Sequence, residues 1–96
     1  MYLEIITPEY ALFEGEVSAV TFPGATGSFQ VLKDHAPIIS MLAPGRIKIR
    51  LADGAQALDG ASGRIVSDTK DSRAYFIELK KGVVEMRNNN IIVLVD

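Results

Sequence analysis

Apolar and polar residues alternate along this chain with a period of two. The alternation is cleanest at Arg46-Ile47-Lys48-Ile49-Arg50-Leu51, where base and aliphatic exchange without exception. Successive side chains of a strand point to opposite faces, so three aliphatics share one face and three cations the other. One face of that sheet is predicted to be wet. Glu16-Val17-Ser18-Ala19-Val20-Thr21-Phe22 is rich in β-branched residues and stops at Pro23-Gly24, and Tyr2-Leu3-Glu4-Ile5-Ile6-Thr7 runs into Pro8. Three more strands are predicted at Ala74 to Leu79, Gly82 to Arg87 and Ile91 to Val95, linked by Lys80-Lys81 and Asn88-Asn89-Asn90. Links this short cannot carry a parallel crossover, which predicts an antiparallel meander, and asparagine tolerates the positive φ of tight turns. Ile91 to Val95 is apolar at both parities, as expected of an inner strand or of one whose second face a partner covers.

No segment has the spacing of a long amphipathic helix. Short strands separated by frequent turns point to an all-β fold, a small sandwich or barrel. Asp53 to Arg73 breaks the pattern: it is rich in Gly, Ser and Asp and reads as an extended hairpin excursion with a short strand around Arg64-Ile65-Val66. There are no internal repeats.

Length and charge narrow the picture further. Ninety-six residues suffice for one domain over 1–96, and 48 % hydrophobic with 23 % charged residues is a globular composition. Ten Lys and Arg against twelve Asp and Glu give a net charge of -2, which argues against nucleic acid as a partner. No run approaches the length of a membrane span, so any membrane association is expected to be peripheral. The absence of cysteine excludes disulfides, thiolate metal sites and Cys nucleophiles. An acid at Glu4 interrupts any signal-peptide pattern, which makes a cytoplasmic location the expectation.

The single histidine, His35, sits in Gly27-Ser28-Phe29-Gln30-Val31-Leu32-Lys33-Asp34-His35-Ala36-Pro37. A Ser-His-Asp relay needs converging side chains, but adjacent Asp34 and His35 diverge if extended, and no nucleophile-elbow motif surrounds any serine. One His without Cys is a poor zinc site. Gly24-Ala25-Thr26-Gly27 and Gly60-Ala61-Ser62-Gly63 lack the Lys-Ser/Thr and helix of a phosphate loop, so turn glycine is the better reading. The carboxylates match no calcium loop, and the Arg46, Lys48, Arg50 stripe has no interleaved aromatics for base stacking; it reads as a solvated face. Neither catalytic residues nor a metal or cofactor site is expected. Phe29, Val31, Ile38 and Ile39 read as an apolar surface patch able to self-associate when a partner is absent.

Three blocks in order, Leu12-Phe13-Glu14-Gly15-Glu16-Val17, Pro23 through Pro37 with its His-Ala-Pro, and Leu42-Ala43-Pro44-Gly45-Arg46-Ile47-Lys48-Ile49, carry a resemblance over nearly the whole chain. Together with the closing Ile91-Ile92-Val93-Leu94-Val95-Asp96, the series resembles the N-terminal domain of the epsilon subunit of F-type ATP synthase, called delta in mitochondria. The resemblance implies a ten-stranded antiparallel β-sandwich, here with no C-terminal helical domain. It implies a non-catalytic rotor subunit that couples rotation of the c ring to ATP synthesis through the gamma subunit, peripheral on the cytoplasmic face of the plasma (inner) membrane. By motif position, Thr26, Gly27, Ser28 and Phe29 match the segment facing the c ring, while Thr7, His35 and Ser40 match positions near gamma. The Asp53 to Arg73 excursion looks longer than the family's hairpin there. Most members continue past the position of Asp96 into a helical hairpin that can inhibit hydrolysis, so coupling without that inhibition is expected. Two other classes remain open: a small-ligand or carbohydrate-binding β-sandwich, which needs an aromatic-lined concavity, and a hydrolase built on His35.

Overall fold

The computed structural model describes residues 1–55 and 63–96. Among these residues there are nine strands and no helix: β1 (Tyr2–Ile6), β2 (Ala11–Gly24), β3 (Gly27–Leu32), β4 (Ile38–Leu42), β5 (Gly45–Leu51), β6 (Ile65–Ser67), β7 (Ala74–Leu79), β8 (Gly82–Arg87) and β9 (Asn90–Val95). The all-β expectation holds. The Gly60-Ala61-Ser62-Gly63 turn expected from the sequence falls largely outside the described residues.

The long β2 serves two sheets. Its first half pairs with β1, which continues through β9 and β8 to β4. Its second half lies between β3 and β5, and β5 continues to β7 and β6. Counting β2 once in each sheet gives ten strand positions from nine strands. The transfer is made by a bulge: Val17 pairs with Leu51 and Ala19 with Arg50, leaving Ser18 as the extra residue. Its hydroxyl donates toward the Arg50 and Leu51 carbonyls at 3.4 and 3.3 Å. One extra residue inverts the side-chain phase, so Phe13 and Val17 point inward before it, and Val20 and Phe22 after it.

The core lies between the two sheets. Leu3, Ile5, Val20, Phe22, Val31, Ile47, Ile49, Ile77, Val84 and Val93 are fully buried there, each worth about 1.5–3 kcal/mol of apolar burial. β5 is as its alternation predicts: Ile47, Ile49 and Leu51 face inward, while Arg46 and Arg50 are exposed. Val31 is a correction, since it belongs to the core and not to a surface patch with Phe29, Ile38 and Ile39.

Two pairings differ from the sequence reading. β7 pairs with β5 and β6, while β8 pairs with β4 and β9, so the run from Ala74 is not a continuous meander. Lys80-Lys81 instead carries the chain from one sheet to the other, and both lysine amides donate to the Asp96 carboxylate at 3.0 and 3.4 Å. A two-residue link serves a sandwich corner as well as a hairpin, which is why link length alone could not decide. The hairpin of β8 and β9 is present as expected. The ladders are antiparallel except for β1 with β9, which pair in parallel from opposite ends of the sequence. With β1 on one side and β8 on the other, β9 is the inner strand its apolar run predicts.

Candidate interaction surfaces

The β2–β3 hairpin closes on the two residues Ala25-Thr26, with Gly24 paired to Gly27. Gly27 has φ 131°, a conformation that favours glycine. At Gly24 a Cβ would lie 2.5 Å from the Gly27 carbonyl oxygen and 2.9 Å from the Phe29 ring, so this residue must be small for the hairpin to close. The tip is docked on the β4–β5 link: the Ala25 amide donates to the Met41 carbonyl at 3.2 Å, and Ala43 to Pro23 at 2.7 Å. Thr26, Gly27 and Ser28 are exposed, while Phe29 is half-buried with its ring 5.5 Å from that of Phe22. The four residues therefore form a rigid projection with a hydrophobic foot.

His35 lies in the link from β3 to β4, which crosses between the sheets. Its amide donates to the Leu32 carbonyl at 3.1 Å, and its ring Nδ1 lies 2.7 Å from the Ala36 carbonyl oxygen. A carbonyl only accepts, so in this contact Nδ1 is the donor. Asp34, just before it, has φ 65° and meets Asn89 of the β8–β9 turn. Ser40 and Phe29, one matched to gamma and the other to the c ring, line the same groove with Pro37, Ile38 and Ile39 where the two sheets part.

Thr7 is elsewhere. Asn89 accepts from the Tyr2 amide at 2.9 Å and also bonds Asp34, so the His35 corner sits at the Tyr2 end of the first sheet. Thr7 follows the last residue of β1, roughly 17 Å away at the usual rise per residue. Its hydroxyl accepts from the Glu9 and Tyr10 amides and donates to the Tyr10 carbonyl, so it builds the β1–β2 turn and is the one buried polar residue among those described. Thr7 and His35 do not converge.

Between them lies the outer face of the first sheet. Met41, Val83, Leu94 and Ile6 stand in register across four strands, an apolar row with Met41 68 % and Leu94 51 % exposed. The next outward row holds Ile39, Glu85, Ile92, Glu4 and Glu14, with Ile39 77 % exposed. Sequence reasoning found the β9 part of this face and Ile39 on β4, but not Met41. The signal was also present in Ile38-Ile39-Ser40-Met41-Leu42, which is apolar on both parities.

The opposite sheet presents the Arg46, Lys48, Arg50 stripe, which is not simply solvated. Lys48 pairs with Asp68 at 3.7 Å and Arg50 with Asp71 at 3.1 Å, while Arg46 stacks over Phe76 at 4.3 Å. The excursion thus folds Asp68 and Asp71 back onto the stripe. Its base is stapled by the Leu51 amide on the Arg73 carbonyl and by the Arg73 guanidinium on the carbonyls of Ala52 and Ala55. The amide of Arg73, then the charge of Arg50, hold the Asp71 carboxyl below its ordinary range. No cluster that could hold a metal ion occurs among the described residues.

Residues 1–62 match the family model for the β-sandwich domain of the ATP synthase delta/epsilon chain. The chain belongs to this ATP synthase family. It is 33 % identical over all 96 residues to the ATP synthase epsilon chain of Campylobacter fetus, covering 60 % of that protein. It is 56 % identical over 52 residues, 54 % of this chain, to the epsilon chain of a Nitratiruptor species, 40 % of which is matched. The chain therefore spans between about two-fifths and three-fifths of the length of these relatives. Among solved structures, a chain of the central stalk and c ring of Tetrahymena thermophila mitochondrial ATP synthase superposes with a TM-score of 0.71. That match covers 99 % of this chain and 62 % of the other at 20 % identity, and it shows a shared fold. In this delta/epsilon chain, the two groups of residues matched to partners occupy separate parts of the sandwich, apart from the groove that Phe29 and Ser40 share.

Proposed function

We propose that this chain is a non-catalytic rotor subunit of a proton-translocating F-type ATP synthase, transmitting c-ring rotation to the catalytic head through gamma. The reading places it at the cytoplasmic face of the plasma membrane, touching the membrane only through the c ring. Family membership supplies the context, and the observation that carries the finer reading is the apolar outer face of the β4-β8-β9-β1 sheet. Thr7 and His35 flank that face at its two ends, so a single gamma surface reaching both must cover Met41, Leu94 and Ile39. Covering these residues removes from water the largest exposed apolar group on the sheet. Thr26 to Phe29, on the projecting hairpin, are left for the c ring. Torque transfer needs a body that deforms little, and a close-packed sandwich braced by a bulge and docked hairpin provides one.

The small-ligand alternative gains nothing from the groove at Phe29, where the other lining residues are Pro37, Ile38, Ile39 and Ser40.

Because the chain has no cysteine, single cysteines can be placed without background. Ile39→Cys is expected to cross-link to gamma and Ser28→Cys to the c subunit in the assembled complex. Cross-linking of neither, in a complex shown to contain the chain, would contradict the reading.

A further inference from the structure

We infer that Asn89 is a positioning residue for the His35 corner, acting on gamma binding through Asp34 without itself being a contact. The inference rests on the reading that His35 meets gamma. The link from Leu32 to Ile38 joins strands that belong to different sheets, so no ladder holds it. Among the described residues, His35 hydrogen-bonds only to near neighbours in its own link, through the Leu32 and Ala36 carbonyls. Pro37 has no amide to offer.

Asp34 is the residue that turns the chain, with φ 65°, and Asn89 grips it with both ends of its amide. The Asp34 amide donates to Asn89 Oδ1 at 2.7 Å, and Asn89 Nδ2 donates to the Asp34 carboxylate at 2.9 Å, across 55 residues of sequence. Asn89 is itself left-handed, with φ 61°, and its carbonyl accepts from the Tyr2 amide at 2.9 Å. One residue thus joins the start of β1, the β8–β9 turn and the corner that carries His35.

The chemistry of the latch is selective. A main-chain N–H can only donate and a carboxylate can only accept, so position 89 must supply one acceptor and one donor side by side. Asparagine does so. Glycine would tolerate the backbone but supply neither, and aspartate would set a second carboxylate against that of Asp34. A reciprocal exchange restores both bonds, because a carboxylate at position 89 can accept from the main-chain amide and from a carboxamide at position 34. His35 follows Asp34 directly, so release of the latch frees the link that sets where the imidazole points.

The test is the affinity of gamma for the full chain and its variants, with thermal unfolding measured in parallel. Asn89→Gly, which loses both bonds, and Asn89→Asp, which keeps the acceptor but sets two carboxylates against each other, should each weaken gamma binding by roughly five- to thirtyfold. The double exchange Asp34→Asn with Asn89→Asp should return affinity to near the parent value. Ile47→Val, a core change remote from the corner, should lower the melting temperature and leave gamma affinity alone. Unchanged affinity in both Asn89 variants, while His35→Ala weakens binding, would overturn the positioning role and leave the reading of His35 intact. Unchanged affinity in His35→Ala would overturn the reading itself. Failure of the double exchange to rescue, in a protein as stable as the parent, would also overturn the inference.

Discussion

Glu4 and Glu14 stand directly opposite one another on β1 and β2, two carboxylates in register on the outer face of the first sheet. Neighbouring Tyr2 and Glu16 are paired in the same ladder, and partial burial followed by the charges of Glu14 and Glu4 pushes the Tyr2 phenol above its ordinary value. Like charges directly across a ladder oppose pairing. Glu14→Gln is therefore expected to stabilise the fold by about 0.2–1 kcal/mol and to lower the Tyr2 pKa. Denaturant unfolding and titration of the phenol by ultraviolet absorbance check both, and a destabilised variant would contradict the assignment.

Asp71 makes a pH-dependent contribution to stability. Its folded pKa lies below the ordinary 3.8, chiefly because it accepts from the Arg73 amide and then because Arg50 is near. The sign follows from linkage: a depressed carboxyl pKa contributes stability that is present above the unfolded value and disappears as pH falls through the folded one. Asp71→Asn should thus be less stable than the parent at neutral pH, with the difference shrinking to nothing in acid below that range. Unfolding followed across pH would show two curves converging at the acid end. Parallel curves would mean that the Asp71 carboxylate, held by the Arg73 amide and Arg50, contributes no pH-dependent stability.

Gly24→Ala tests the hairpin that carries Thr26 to Phe29. The added methyl meets the Gly27 carbonyl at 2.5 Å and the Phe29 ring at 2.9 Å, so either the closing pair or the aromatic must move. A loss of about 1–3 kcal/mol is expected, the usual cost of overpacking. The Phe29 resonances should shift far more than those of Phe76 on β7. A silent substitution would show that the hairpin is looser than its docking on Met41 and Pro23 indicates.

Much of this was legible because strand alternation reports which side chains share a face. Arg46 to Leu51 is laid out as its pattern requires, and the Asn88-Asn89 turn has the positive φ values, 52° and 61°, that its composition predicts. Partners are another matter. β1 and β9 pair in parallel across most of the chain, and nothing in either strand's own pattern specifies the other. The corner at Lys80-Lys81 has the length of a hairpin but turns between sheets. The fate of the cationic stripe depended on Asp68 and Asp71, twenty residues downstream of Lys48 and twenty-one of Arg50, folding back over it. The His-Ala-Pro block marks the corner in the sequence, but its brace, Asn89, lies 55 residues from Asp34 and was visible only as a turn former.

Gamma is proposed to cover the apolar outer face of the first sheet, and one pair of charge substitutions tests that placement directly. The decisive measurement is gamma affinity for Met41→Glu, on the apolar row of the first sheet, set against Lys48→Glu on the outer face of the second. An unpaired carboxylate buried under a partner costs upwards of about 2 kcal/mol, so Met41→Glu should weaken binding by more than about tenfold while Lys48→Glu leaves it unchanged. Equal affinities for parent and Met41→Glu, or a loss confined to Lys48→Glu, would contradict the account.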